Sequence, residues 1–216
     1  MRPFQNVILN IYQVLRYKLN FDRKSVIIKY IKKNQPSSIL EIGVYKGDFA
    51  LRMLSQISRQ NQSTTKYLGI DLFSEMQTKE NFQKEFSMWP EQKELVLKKL
   101  KNSYPKIDIK LVQGYSNDYL SKEKHKYDLI FIDGGHSFST VFSDWILSSS
   151  LLSQEGVIFF DDYTTKIGAS KSGFGIRKVV RNIERAQWKI KIYHNADYFK
   201  KTWGVLILKI VKVSKN

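Results

Sequence analysis

Residues 38–47 read SILEIGVYKG, a short apolar run interrupted only by Glu41, followed at once by a turn with glycines at Gly43 and Gly47. A run of this kind suits a strand covered on both faces, and a glycine turn directly after it suits entry into a helix. The same phrase recurs outward from it. Apolar runs at Tyr67–Ile70, Ile107–Val112, Tyr127–Ile132 and Val157–Phe160 alternate with helical stretches at about 48–60, 91–102, 116–123 and 137–152. Repetition of strand then helix dictates a parallel sheet. A last helix near 174–186 leads to strands at about 188–194 and 202–211, the second containing Trp203 and closing the sheet in antiparallel sense. The expected fold is α/β: a Rossmann-like, doubly wound, mostly parallel seven-stranded sheet with an antiparallel final strand.

Ahead of this domain, assigned to 37–216, residues 1–36 read as a helical segment packed on it. Phe4, Val7, Ile8, Ile11, Leu15 and Leu19 recur at helical steps; Asp22 is placed to cap a second helix carrying Val26, Ile27, Tyr30 and Ile31, which Pro36 closes. The basic residues Arg16, Lys18, Arg23 and Lys24 keep a second reading open, a helix lying on a membrane surface. The connection Phe73–Pro90 is long. Met76, Phe82, Phe86, Met88 and Trp89 give it apolar content, so it either packs as an extra helix or also forms a lid.

A chain of 216 residues suits one ordinary domain. The absence of cysteine excludes disulfides, thiolate metal sites and a cysteine nucleophile, and fits a reducing compartment; the cytoplasm is the expected location. No apolar run approaches the ~20 residues that span a bilayer. The net charge of +16 is unevenly placed: residues 1–36 carry +7, residues 163–216 carry +11 and the centre is nearly neutral. Such ends attract polyanions, or simply solvate lysine-rich faces.

In a doubly wound sheet, ligands bind beyond the carboxyl ends of the strands. The turn after the first strand lacks both the P-loop and the G-x-G-x-x-G patterns. Glu41 there repels phosphate and welcomes an ammonium group, which favours a cofactor with an amino-acid tail and disfavours a nicotinamide dinucleotide. Asp71 ends the second strand, where an acid hydrogen-bonds ribose hydroxyls. Gln113-Gly114-Tyr115-Ser116 can border an adenine ring. The fourth strand ends Ile132-Asp133-Gly134-Gly135-His136, and the fifth Phe160-Asp161-Asp162-Tyr163.

Four of these strand-end motifs in this order, Glu-x-Gly-x-x-x-Gly from Glu41, Asp71, Ile-Asp-Gly-Gly-His and Phe-Asp-Asp-Tyr, resemble class I S-adenosylmethionine (SAM)-dependent methyltransferases, and among them the metal-dependent O-methyltransferases of sugars on macrolides and other natural products. The resemblance covers about residues 36–163. It implies that Glu41, Gly43, Val44, Tyr45 and Gly47 line the methionine side of SAM, with Asp71 on the ribose, Ser116 at the adenine edge and Asp133 beside the donor. It implies a divalent ion on Asp133, Asp161 and Asp162, and His136 as general base. The expected activity is methyl transfer to a hydroxyl of a saccharide or glycan-linked small molecule.

Elementary chemistry points the same way. Three carboxylates at neighbouring strand ends repel one another without a cation, and hard oxygen ligands suit Mg²⁺ or Mn²⁺. Such an ion lowers the pKa of a chelated hydroxyl, and an imidazole can take its proton. The plainer alternatives are that Asp133 and Asp162 cap turns and that His136 moves no proton. His125 and His194 read as surface residues; Asp118, Asp128 and Asp144 as solvated or capping; Asp197, with Tyr198 and Trp203, as a candidate acceptor contact. The basic ends favour an acidic acceptor. They also carry the rival readings, an RNA methyltransferase or a silent cofactor-binding subunit recruited to an anionic surface.

Overall fold

The computed structural model describes residues 22–85, 88–164, 175–201 and 204–216. Its elements run α1 (Ser25–Asn34), β1 (Ser38–Ile42), α2 (Asp48–Leu54), a 3-10 turn (Gln62–Thr64), β2 (Lys66–Asp71), α3 (Phe73–Met76), α4 (Lys79–Lys84), α5 (Lys93–Ser103), β3 (Asp108–Gln113), α6 (Ser116–Leu120), β4 (Tyr127–Ile132), α7 (Phe138–Ser150), β5 (Leu152–Tyr163), α8 (Ile176–Asn182), β6 (Trp188–Lys201) and β7 (Gly204–Lys215). The expected helical stripe over 4–19, Phe86, the start of the helix near 174 and Trp203 lie outside the described residues.

The strand order is β3-β2-β1-β4-β5-β7-β6. The first five strands are parallel, with β1 between β2 and β4. β7 inserts between β5 and β6 and runs antiparallel to both. The Rossmann-like expectation therefore holds, and the chain direction of winding reverses between β1 and β4, which opens a crevice at their carboxyl ends.

The central strands β1, β2 and β4 bury both faces, whereas β3 at the edge alternates buried and exposed residues. Ile39, Phe131 and Phe159 join the apolar layer under α1, α2 and α5, while Leu40, Ile42, Ile130, Ile132, Ile158 and Phe160 join the layer under α7 and α8. This is why the strands read as continuous apolar runs rather than as alternation. Helix α1 belongs to the first layer: Ile27 and Ile31 are fully buried, and the Tyr30 ring meets Phe159 edge-on at 5.5 Å between centroids. Its start differs from expectation. The Asp22 side chain does not cap α1; both its oxygens accept from the Arg52 guanidinium, at 2.5 and 2.8 Å. The helix ends at Gln35 in left-handed conformation, φ 48°, one residue before Pro36.

The connection 73–90 holds two short helices, α3 and α4, rather than one packed helix. Phe73, Gln77 and Pro90 are buried, whereas Met76, Phe82, Met88 and Trp89 stay exposed, with Phe82 and Trp89 leaning together at 6.4 Å. Among the described residues no helix is long and apolar enough to cross a membrane.

If α1 is part of the core, Ile31→Ala should destabilise the whole protein by about 2–5 kcal/mol, the usual cost of emptying a fully buried site. Denaturant unfolding followed by tryptophan fluorescence measures it; a loss below about 1 kcal/mol would mean that α1 is a dispensable attachment.

Candidate active site

The crevice is built by two backbone crossings. The Asp133 amide donates to the Ile42 carbonyl at 2.8 Å, and the Gly43 amide to the Ile70 carbonyl at 2.9 Å, so the ends of β1, β2 and β4 are stitched together. Gly43 passes under this seam at φ +91°, and a Cβ there would stand 2.1 Å from the Asp133 carbonyl oxygen. Only glycine fits both the angle and the space. Asp71 then fixes the turn: one carboxylate oxygen accepts from the Val44 and Tyr45 amides, both at 2.7 Å, and the other from the Phe73 amide at 3.0 Å. The Leu72 amide acts on the same carboxylate, so Asp71 is fastened to the turn by successive backbone N–H groups.

The residues expected to line the cofactor differ in how their side chains are placed. Glu41, at 1% exposure, lies on the face of β1 that points into the α1 layer and hydrogen-bonds the Tyr67 hydroxyl. Burial pushes its carboxyl up to about 8, so at neutral pH it is an uncharged core group and no counter-ion for an ammonium. Val44 is buried with its side chain in the core; its backbone, not its isopropyl group, faces the turn. Tyr45 takes the left-handed φ of 56°, and Gly47 starts α2 at φ 72°. The Ser116 hydroxyl donates to Asp144, which is not a solvated residue as its sequence context suggested but fully buried in α7, its carboxyl pushed up to about 7 by burial. The hollow at the end of β3, about 560 Å³, is lined instead by Gly114, Tyr115, Tyr119 and Met76.

Asp133, Asp161, Asp162 and His136 do come together, with a partner set that the sequence did not suggest. Arg23 presents Nε and Nη2 to the two oxygens of Asp161, at 2.6 and 2.9 Å. Its Nη2 also donates to Asp162 at 2.9 Å, and its Nη1 to Asp197 at 2.8 Å. Lys24 Nζ bonds Asp133 at 2.6 Å, stands 3.0 Å from Asp161, and rests over the rings of Phe49 and Phe131. Arg23 and Lys24 are thus not a membrane-facing basic edge but the buried counter-charges of the aspartates. Asp197 is correspondingly tied to Arg23. Against the cost of burying it, the two cations hold Asp161 well below the usual carboxylate range, and burial with the neighbouring aspartates pushes Asp133 up. Asp162 reaches its partners from a left-handed φ of 57°, a strained setting of the kind that clusters at functional sites.

His136 is held at both ring nitrogens. The Glu85 carbonyl can only accept, so Nδ1 donates to it, at 2.5 Å; Nε2 lies 2.7 Å from Asp162. A carboxylate also accepts, so the ring carries both protons. Although burial opposes it, Asp162 raises the imidazole pKa to about 9. Glu85, in the long connection, further binds the start of α7: its carboxylate accepts from the Ser137 amide and hydroxyl and from Thr140. Nothing in the local pattern marks this residue beyond its place in a long loop. His125 and His194 are exposed as expected. Among the described residues, no three His, Cys, Asp or Glu side chains are grouped so as to share a metal ion. The expected trio converges, but Arg23 and Lys24 stand between its members.

A family model described as a methyltransferase domain matches residues 40–163, more than half of the chain. No curated protein matches the chain. Solved structures with the same fold include the O-methyltransferase TomG of Streptomyces achromogenes, involved in tomaymycin synthesis and in complex with SAM (14% identity, 88% of this chain and 78% of that one, TM-score 0.60). An O-methyltransferase of Bacillus cereus in complex with SAH is similar at 13% identity over 96% of this chain and 90% of that one, TM-score 0.60. The SAH-bound methyltransferase PaMTH1 of Podospora anserina is similar at 16% identity over 89% and 77%, TM-score 0.57. At these identities the likeness is one of fold.

The buried carboxyl of Glu41 keeps its proton to about pH 8, whereas the unfolded chain releases it near its ordinary 4.5. The folded state therefore binds the extra proton between those values, and stability falls as pH rises through them. Thermal melts of wild type and Glu41→Gln from pH 4 to 9 should diverge across this window, with wild type losing ground toward alkaline pH. Parallel curves would show Glu41 ionised in the fold.

Proposed function

The chain belongs to the methyltransferase-domain family, and from that premise we propose that it transfers a methyl group from SAM to a hydroxyl oxygen of a saccharide or glycan-linked small molecule. The observation that carries this reading is the crevice between β1 and β4, where a glycine turn held by Asp71 lies against Asp133. The fold relatives in complex with SAM or SAH, two of them O-methyltransferases, support the donor and the acceptor atom. The acceptor class rests on the motif resemblance.

When bound, SAM supplies a methyl on a positively charged sulfur, a leaving group that needs no acid. What the chain supplies is position and charge. The Gly43–Gly47 turn offers backbone at close approach, Asp71 stands at the end of β2 where a ribose would lie, and the hollow beside Gly114 and Tyr115 suits an adenine ring. Holding oxygen and methyl in line contributes most of the acceleration, as orientation does in transfers between two bound partners.

A divalent ion does not fit these residues as they stand. The space between Asp133, His136, Asp161 and Asp162 is about 10 Å³, near the lower limit for one water. An ion of charge +2 within about 4 Å of an ammonium is repelled by about 8 kcal/mol at an effective dielectric constant of ~20. No step is therefore routed through a metal. The acceptor proton falls to His136, which must first release its own. Turnover should rise with pH along a limb near 9, the His136 value set by Asp162.

Incubation with methyl-labelled SAM and a panel of saccharides and nucleotide-linked sugars, read by mass, should give products heavier by one methyl. Calorimetry should show SAM binding without any acceptor. Absence of SAM binding would overturn the reading. In Asp162→Asn the alkaline limb should move down toward the ordinary histidine value of ~6.5; a limb that stays put would remove His136 from proton transfer.

A further inference from the structure

We infer that Arg23 and Lys24 are the resident cations of this site, built into the chain in the place where a divalent ion would otherwise bridge Asp133, Asp161 and Asp162. The inference rests on the methyltransferase reading only for what the site does; the charge arrangement stands on its own. Two of the three pairs among these aspartates, both through Asp161, are already bridged by a positive side chain. Lys24 Nζ spans Asp133 and Asp161, at 2.6 and 3.0 Å. The Arg23 guanidinium spans Asp161 and Asp162, at 2.6 and 2.9 Å, and reaches Asp197 as well. The geometry with Asp161 is the two-pronged one that a planar guanidinium makes with a carboxylate.

The pair is held in place by packing and not by its charges alone. Lys24 is the residue at which α1 begins, and the helix behind it is anchored by the buried Ile27, Ile28 and Ile31. On the other side Asp22 is gripped by both nitrogens of Arg52. The ammonium stem lies on Phe49 and Phe131, with centroid distances of 4.8 and 5.2 Å. Arg23 also stands 5.8 Å from the centre of the Phe199 ring on β6. A loose cationic tail would share none of these supports. For an ion to enter, two anchored and largely buried side chains would have to leave together, and they would leave carboxylates that need them.

Arg23 and Lys24 are thus positioning residues: they hold the three aspartates, and through Asp162 they hold His136, without a role assigned at the reacting atoms. The consequence is an enzyme whose folding and turnover ignore divalent cations, carrying a latent metal site that the loss of its own side chains uncovers.

Mn²⁺ titration followed by electron paramagnetic resonance tests this without any acceptor or donor. Wild type should leave Mn²⁺ free in solution, and its melting temperature should be unmoved by Mg²⁺, Mn²⁺ or chelator. The double variant R23Q/K24Q should bind one Mn²⁺ per chain and melt higher in its presence, and both gains should vanish when D161N is added. Circular dichroism establishes that the variants are folded; should the double variant not fold, K24Q, which keeps the Arg23 fork, is read in the same way. Stoichiometric Mn²⁺ binding by wild type that is lost in D161N would overturn the inference. So would a folded variant that gains no Mn²⁺ binding. Failure of methyl transfer in the earlier assay, with these metal results intact, would sink the proposed activity and leave the cation assignment standing.

Discussion

Like charges gathered at the end of a sheet must be compensated, and here the compensation comes from the far side of the chain. Asp133, Asp161 and Asp162 stand at neighbouring strand ends because the parallel order of β4 and β5 puts them there. Burial makes three unpaired carboxylates untenable. Arg23 and Lys24, from the turn that leads into α1, resolve the conflict, and in doing so they tie the amino-terminal helix, the central strands and the β6–β7 hairpin to one point. The site and the docking of α1 are therefore a single structural problem with one solution.

That linkage explains the apparent excess of polar chemistry in an otherwise apolar fold. Asp71 spends most of its acceptor capacity on the Gly43 turn, Glu41 withdraws into the core with its proton, and Asp144 is sealed behind Ser116. Each acid that could have crowded the crevice is either neutral, hydrogen-bonded to backbone or paired. What stays partly open to solvent is Asp133 beside Gly43, and the doubly held ring of His136. The crevice is selective in its charge because its surroundings have been silenced one group at a time.

The sheet was legible because parallel strands covered on both sides leave unbroken apolar runs, and the strand ends could be read for their acids as soon as the runs were placed. Asp133, Asp161, Asp162 and His136 emerged in that way. Arg23 and Lys24 did not, since two cations before a helix look the same whether they face water or aspartates more than a hundred residues away. Whether a strand residue faces the crevice or the core is equally hidden when the whole run is buried, which is why the burial of Glu41 against Tyr67 has no mark in the sequence. Glu85 left no local pattern at all: its role depends on a carbonyl and a carboxylate meeting His136 and the start of α7 across a gap that sequence spacing does not encode. The short helices of 73–90 were ambiguous because their apolar side chains do not repeat on one packed face.

The position of β7 has a consequence for how this molecule is made. It follows β6 in the chain, yet it lies inside the sheet between β5 and β6. As the chain leaves the ribosome, the five parallel strands can assemble while the outer edge of β5, carrying Val157 to Phe160, still awaits its partner. For that interval the nascent protein exposes a sticky, unpaired border. Burial of that border comes only when residues 204–215 slot into the gap.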